Sequence, residues 1–378
     1  MGAADPSKVG HGAPLGNPAR SPSRLGEKPS GHYKEAMHIT LVDDSIPFDG
    51  FTASARALGG AEKAFAALPG ALARRGHTVT VFNRCRWSLF IEGCQWHPIE
   101  GTGKPLMTDV LVAFRKPALL EFVRQAKRRV LWTTATARQM ERAAAAGPVK
   151  DIKPLMLLCS AAQAQGLNPR GLPLAVLPPA ARSDFLADAA TALAVPPRAV
   201  VTTHPSHGLD RLLDLWLERI RPAAPEAELH VYSAALTRAV EGAEVEEPLR
   251  PLAERVLAAR DAGVVVMRPG GDPVMAQAYR EAHVHLYPGH AGDTTAFTLM
   301  ESQAAGRPAV LRPLGAAPER VANGRSAFVA PDDDAFANLT IMLLSDPAMA
   351  ASMGAEARSL YTGRSWDAAA QELEALLS

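Results

Sequence analysis

The sequence predicts an α/β protein built as two doubly wound parallel-sheet domains that face each other across a cleft. Three observations carry the prediction. Short β-type apolar runs alternate with amphipathic helical patterns, and the whole alternation occurs twice. A proline-marked seam separates the two series: Pro178-Pro179 closes the first and Pro196-Pro197 precedes the second, which places the linker near residues 185–197. Each series also contains a glycine-bearing loop, at 57–60 and 288–295, that follows a strand in the sense needed to line the cleft. Ligands of such sheets sit at the carboxyl ends of the strands.

The chain has 378 residues, and a prior of roughly 150 residues per domain suggests two domains. Hydrophobic content of 47% and aromatic content of 6% fit a soluble, Ala- and Leu-rich globular protein. A net charge of +1 creates no global field, so nucleic acid and anionic membrane are not indicated as bulk partners. Cys85, Cys94 and Cys159 lack metal-ligand pairing and read as buried or surface thiols in a reducing compartment. No run approaches the roughly 18 apolar residues of a membrane span, and no signal-peptide core follows the N-terminus. The expected location is the cytoplasm, and peripheral membrane contact is compatible with this.

Residues 1–36 are rich in Pro, Gly and Ser and almost free of large apolar side chains. Such a segment cannot bury enough surface to offset its ordering entropy, so a disordered tail is expected. The first domain spans 37–193. It opens with a strand at 37–42, and a helix follows Gly59-Gly60. Ala61, Ala64, Phe65, Leu68 and Leu72 mark one face of that helix. Pro69 lies inside this pattern and should kink it. Further strands are expected at 78–82, 110–113, 130–132, 155–158 and 174–177, with a helix over 118–128. The second domain, 194–363, restarts with strands at 199–201, 229–232 and 264–266. Leu209, Leu212, Leu213, Trp216 and Ile220 form an amphipathic helix between the first two. Trp216 and Trp366 read as packing residues. The acidic run Asp332-Asp333-Asp334 suits a helix start and needs no metal to explain it. A final helix covers 366–377.

Residues 284–310 hold the densest chemistry. Val284, His285, Leu286 and Tyr287 make a strand stopped by Pro288-Gly289. A polar loop with His290, Asp293, Thr294 and Thr295 leads into a helix carrying Glu301, and a second strand begins at Ala309. Helix N-termini present unpaired N–H groups and a positive dipole end, so this stretch reads as a nucleotide-diphosphate site. Two readings stand for each carboxylate. Asp293 is an N-cap or a ligand contact, two roles that are compatible, and Glu301 is either an ordinary solvated-face glutamate or a ligand contact.

At this point the residues resemble a known family. The stretch LGGAEKAFAALPGALARRGHTVTVFNR (58–84) resembles the Gly-Gly loop and first helix of family-4 retaining glycosyltransferases, which have the GT-B fold. The stretch HGLDRLLDLWLERIRPAAPEAELHVYS (207–233) resembles the start of their C-terminal domain. Asp293 and Glu301, with seven residues between them, resemble their paired acidic donor signature. The helix of 364–378 is similar to the one that crosses back onto the first domain in that fold. The resemblance runs in order over 37–378. It implies transfer of a sugar, with retention, from a nucleotide-diphosphate-sugar donor to an acceptor (glycan, lipid or small molecule) that the sequence does not specify. By the same resemblance Glu301 would hold the ribose and Asp293 would face the sugar. The amides of Thr294, Thr295 and Ala296 would meet the diphosphate, and Gly59 and Gly60 would close on the phosphates. No cofactor and no metal are expected.

Three departures accompany it. His207 stands where Arg or Lys is usual, and an imidazole is a weaker counter-charge. Thr133-Thr134-Ala135 follows Trp132 where the family often has Trp-x-His-Asp, and Pro178-Pro179-Ala180 replaces Pro-Asn-Gly. Arg268 and Arg312, each after a strand, are alternative phosphate counter-charges, and His290 is a further loop candidate. Two other readings remain open: a glycosyltransferase-like binding or scaffold protein without turnover, and a nucleotide-sugar epimerase of the same architecture.

Overall fold

The computed structural model describes residues 36–187 and 191–377. The expected disordered tail lies outside them, apart from Ala36. The first sheet holds eight strands in the order β3-β4-β2-β1-β5-β6-β7-β8. They are β1 His38–Val42, β2 Thr78–Asn83, β3 Leu89–Ile91, β4 Cys94–Pro98, β5 Met107–Phe114, β6 Gln125–Thr133, β7 Leu155–Leu158 and β8 Leu174–Val176. The second sheet holds six, in the order β11-β10-β9-β12-β13-β14. These are β9 Arg198–Val201, β10 Glu228–Tyr232, β11 Val264–Met267, β12 Val284–Tyr287, β13 Ala309–Leu311 and β14 Ala327–Val329. Every pairing is parallel except β3 with β4. Central strands read as continuous apolar runs because helices cover both faces. Leu41, Val112, Leu157, Val200 and Leu286 are accordingly all buried. In each sheet the strand order reverses beside the first strand, β1 or β9, so the two crevices open toward the same cleft.

Two local expectations fail. Residues 118–128 do not form a helix. A 3-10 turn, Pro117–Glu121, gives way to β6, which starts at Gln125. The helical spacing came from Leu119, Leu120 and Val123, which do pack into the core. The backbone instead finds partners on an elongated β5, and Arg129 ties the turn by donating to the carbonyls of Leu120 (3.0 Å) and Arg124 (3.0 Å). The hairpin β3–β4 fills a stretch between the strands expected at 78–82 and 110–113 for which no strand is expected. Its turn residues Glu92 and Gly93 both have positive φ, 48° and 82°, as in a two-residue hairpin turn of the primed type. The helix Gly60–Arg74 is assigned continuously through Pro69.

The C-terminal helix Trp366–Leu377 packs on Gly60–Arg74 of the first domain, with Trp366 against Trp132 at 6.3 Å between ring centroids. Its buried Glu374 accepts from Arg75 (2.8 Å) and lies 3.0 Å from His77 Nε2. Burial pushes the Glu374 carboxyl up, but the bonds from Arg75 and His77 outweigh it and leave the group below its ordinary value. The contribution is therefore complete at neutral pH and disappears as the pH falls through that lowered value. Glu374→Ala is expected to cost about 2 kcal/mol at pH 7 and to lose much of that penalty in acid, measured by urea unfolding across pH. The cysteines are all buried and unpaired. Burial pushes their thiols up, Cys85 and Cys159 to about 11 and Cys94 to about 12.

Candidate active site in the interdomain cleft

The loop after β12 is held by its own side chains. Asp293 Oδ1 accepts from Thr295 N (3.0 Å), Thr295 Oγ1 (3.2 Å) and Ala296 N (2.8 Å), while Oδ2 accepts from the Tyr287 hydroxyl. Asp293 thus pins the loop just before the helix Phe297–Ala304 and is not its N-cap: the N-cap residue is Ala296, in a left-handed conformation (φ 48°), and no side chain caps the helix amides. This corrects the expectation that the amides of Thr295 and Ala296 stand free for a diphosphate, since the Asp293 carboxylate, two and three residues earlier, already satisfies them. Thr294 is also turned to another use. Its hydroxyl donates to Thr134 O (2.8 Å) and its carbonyl accepts from Ser160 Oγ (2.8 Å), both in the first domain. Arg320 adds a third stitch, donating to Thr295 O (3.0 Å) and Cys159 O (2.8 Å). The unusual Thr133-Thr134-Ala135 segment thus receives the second domain's loop through its backbone. Gln163 braces it with bonds to Thr133 O (2.9 Å) and Ala135 O (2.8 Å).

Glu301 is only 4% exposed, which excludes the solvated-face reading. Lys63, from the helix that follows Gly59-Gly60, crosses the cleft and donates to Glu301 Oε1 (2.9 Å). The same ammonium lies 2.7 Å from Asp272 Oδ1, and Arg182 Nε lies 2.6 Å from Asp272 Oδ2. Four charges from four chain segments thus meet in balance. Burial pulls the Lys63 ammonium down, but Glu301 and Asp272 together more than offset it, so it stays protonated. Burial pushes the Glu301 carboxyl up; Lys63 opposes the rise and Asp272 adds to it.

Gly60 owes its lack of a side chain to domain contact. A Cβ on Gly60 would lie 2.4 Å from Phe297 Cβ, so any larger residue would wedge the domains apart. Gly271, just before Asp272, makes a similar approach: its Cβ would lie 2.3 Å from Ser54 O. Between these contacts lies a cavity of about 640 Å³, lined by Gly59, Gly60 and Lys63 on one side and by His207, Asp293 and Glu301 on the other.

His207 stacks on His290 with ring centroids 4.7 Å apart and planes at 14°, and His204 lies 5.6 Å away. Burial, then His290 and His204, hold the His207 imidazole below its ordinary value against a smaller upward pull from Asp293. Arg268 and Arg312 do not line this cavity. They pair with Glu241 and Asp333, respectively. Asp332 caps the helix Asp333–Ser345 through Ala335 N at 2.8 Å, as a helix-start aspartate should. Among the described residues no group of three or more His, Cys, Asp or Glu side chains is placed to hold a metal ion, and no helix is long and apolar enough to cross a membrane.

Residues 199–346 match the family described as Glycosyl transferases group 1. Among curated proteins, D-inositol 3-phosphate glycosyltransferase of Streptomyces avermitilis is 31% identical over 178 residues, 43% of this chain and 38% of that one. The chain thus aligns with less than half of that relative's length. Solved structures match across both domains. Sucrose-phosphate synthase from Thermosynechococcus elongatus has a TM-score of 0.67 at 14% identity, covering 90% of this chain and 98% of that chain. Anabaena HepE in complex with UDP-glucose has a TM-score of 0.63 at 15% identity, covering 90% and 99%. The matched segment therefore lies within a GT-B-type pair of Rossmann-like domains; the alternation predicted two doubly wound sheets, and the resemblance predicted the GT-B type.

Sequence reasoning missed Lys63, Asp272, Arg182 and Tyr287. Asp272 opens a helix, where an acidic residue is unremarkable, and Lys63 follows a glutamate on a helix read for its apolar face. Nothing local separates these residues from surface charges.

Proposed function

We propose that the chain is a glycosyltransferase that takes a nucleotide-diphosphate sugar in the interdomain cleft and transfers the sugar, with retention, to a glycan, lipid or small-molecule acceptor. The observation that carries this reading is the cavity itself. It brings the Gly59-Gly60 loop of one domain against Asp293 and Glu301 of the other, with the two domains in close contact at Gly60. In this reading Glu301 accepts from the ribose and Asp293 fixes the loop that faces the sugar. His207 lies where the diphosphate would need a counter-charge. Anabaena HepE, which binds UDP-glucose, shares the fold and so makes uridine nucleotides the first to try. The work is assigned to the cytoplasm, and no metal or cofactor takes part.

Because its imidazole is held below the ordinary value, His207 is neutral at pH 7 and gains charge only in acid. Nucleoside-diphosphate affinity is therefore expected to rise several-fold between pH 7.5 and 5.5, and His207→Ala to flatten that profile in calorimetric titrations. A thermal-shift screen over UDP, GDP, ADP and their common sugars, repeated with EDTA, tests the reading as a whole. A ligand at about 100 times its Kd adds about 2.7 kcal/mol, enough to raise the melting temperature by a few degrees. Absence of any shift would sink the reading, and a shift abolished by EDTA would sink its metal-free part.

A second reading, a binding protein without turnover, is favoured by one observation: the Asp293 carboxylate occupies the amides of Thr295 and Ala296. Nucleotide binding without donor hydrolysis or transfer would select it. Interconversion of nucleotide sugars without an acceptor would instead select an epimerase.

A further inference from the structure

Glu301 does not stand in the cavity as a free carboxylate. Its Oε1 already accepts from Lys63, a residue of the other domain 238 positions earlier, in a site where both side chains are at most 8% exposed. Lys63 cannot swing away cheaply. Asp272 holds it at 2.7 Å, Asp272 is anchored in turn by Arg182 at 2.6 Å, and the ammonium lies 5.2 Å from the centroid of the Phe185 ring. A carboxyl buried this deeply favours its neutral form, and the fixed cation opposes that tendency. An ionised, immobilised carboxylate accepts strongly from hydroxyl groups, and a ribose offers two adjacent ones.

We propose that Lys63 is a positioning residue for nucleotide recognition: it reaches across the cleft to keep Glu301 ionised and oriented toward the ribose hydroxyls. The inference rests on the nucleotide-diphosphate site proposed above. It makes ribose discrimination depend on the first domain, through this bridge. Domain closure and ribose recognition thereby become one event.

The test uses the full chain, with UDP, GDP and ADP and their 2′,3′-dideoxy counterparts as titrants at pH 7. Wild type is expected to bind its preferred ribonucleotide about tenfold or more tighter than the dideoxy form, the effect of losing charge-assisted hydrogen bonds. In Lys63→Met, which keeps the length and apolar stem, that ratio should fall below about threefold while dideoxy affinity stays within about twofold. Lys63→Arg should restore part of the ratio. A clamp that merely held the domains together would weaken both forms alike, and that outcome, or an unchanged ratio, overturns the proposal. A second measurement needs no variant. The wild-type ratio should stay flat between pH 6 and 8, and a ratio that climbs with pH would show that Lys63 does not hold Glu301 ionised. If none of the six nucleotides binds wild type, the glycosyltransferase reading falls as well. If they bind but the ratio ignores Lys63, only this inference falls.

Discussion

Asp272→Ala is expected to destabilise the protein by about 3–5 kcal/mol, the cost of breaking a buried ion pair from one side. Asp272 is 0% exposed and sits between Lys63 at 2.7 Å and Arg182 at 2.6 Å, so its removal leaves the buried Lys63 and the partly exposed Arg182 with the single carboxylate of Glu301. One of those cations belongs to the helix Gly60–Arg74 and the other to the end of the first domain. The substitution therefore loosens the domain interface as well as the helix Asp272–Glu281. Urea unfolding should show the midpoint falling. The slope should also change if the domains come to unfold separately. A loss under about 1 kcal/mol would mean that water or rearrangement solvates the network, contrary to the burial seen here.

Glu301→Gln should do the reverse, sparing most of the stability and removing most of the ligand. The amide is isosteric and can still accept from Lys63, so the stability cost is expected to be about 2 kcal/mol. Nucleotide affinity should drop by about 10- to 100-fold, because a neutral amide replaces the charged acceptor for two hydroxyls. The contrast between the variants is the informative part. Asp272 lies outside the cavity lining and Glu301 within it, although both touch the same ammonium. Equal losses of affinity in Asp272→Ala and Glu301→Gln, at matched folded fractions, would contradict the division of roles argued above.

Much of the architecture is legible without coordinates because buried parallel strands must be apolar along their whole length. The runs at 155–158, 284–287 and 309–311 are strands at those bounds. The final helix Trp366–Leu377 likewise follows from its spacing. Where reading failed, a local pattern had two solutions. Leu119, Leu120 and Val123 satisfy helical spacing, yet a 3-10 turn followed by a strand buries them equally well. The candidate site divides in the same way. That Asp293 would bond nearby backbone amides was legible, since such bonds are local chemistry within three residues, but the amides are those of the loop and not of the helix it was expected to cap. The Lys63–Glu301–Asp272–Arg182 network was not legible, because its members come together only when two complete domains close.

The central claim is that the cavity between Gly59-Gly60 and Glu301 receives a nucleotide-diphosphate sugar, and a crystal structure of the protein with the nucleotide selected by thermal shift tests it most directly. The account predicts the ribose hydroxyls on Glu301 with Lys63 still bound behind it, and the diphosphate beside His207. A nucleotide found outside this cavity, or with its ribose turned away from Glu301, would contradict it.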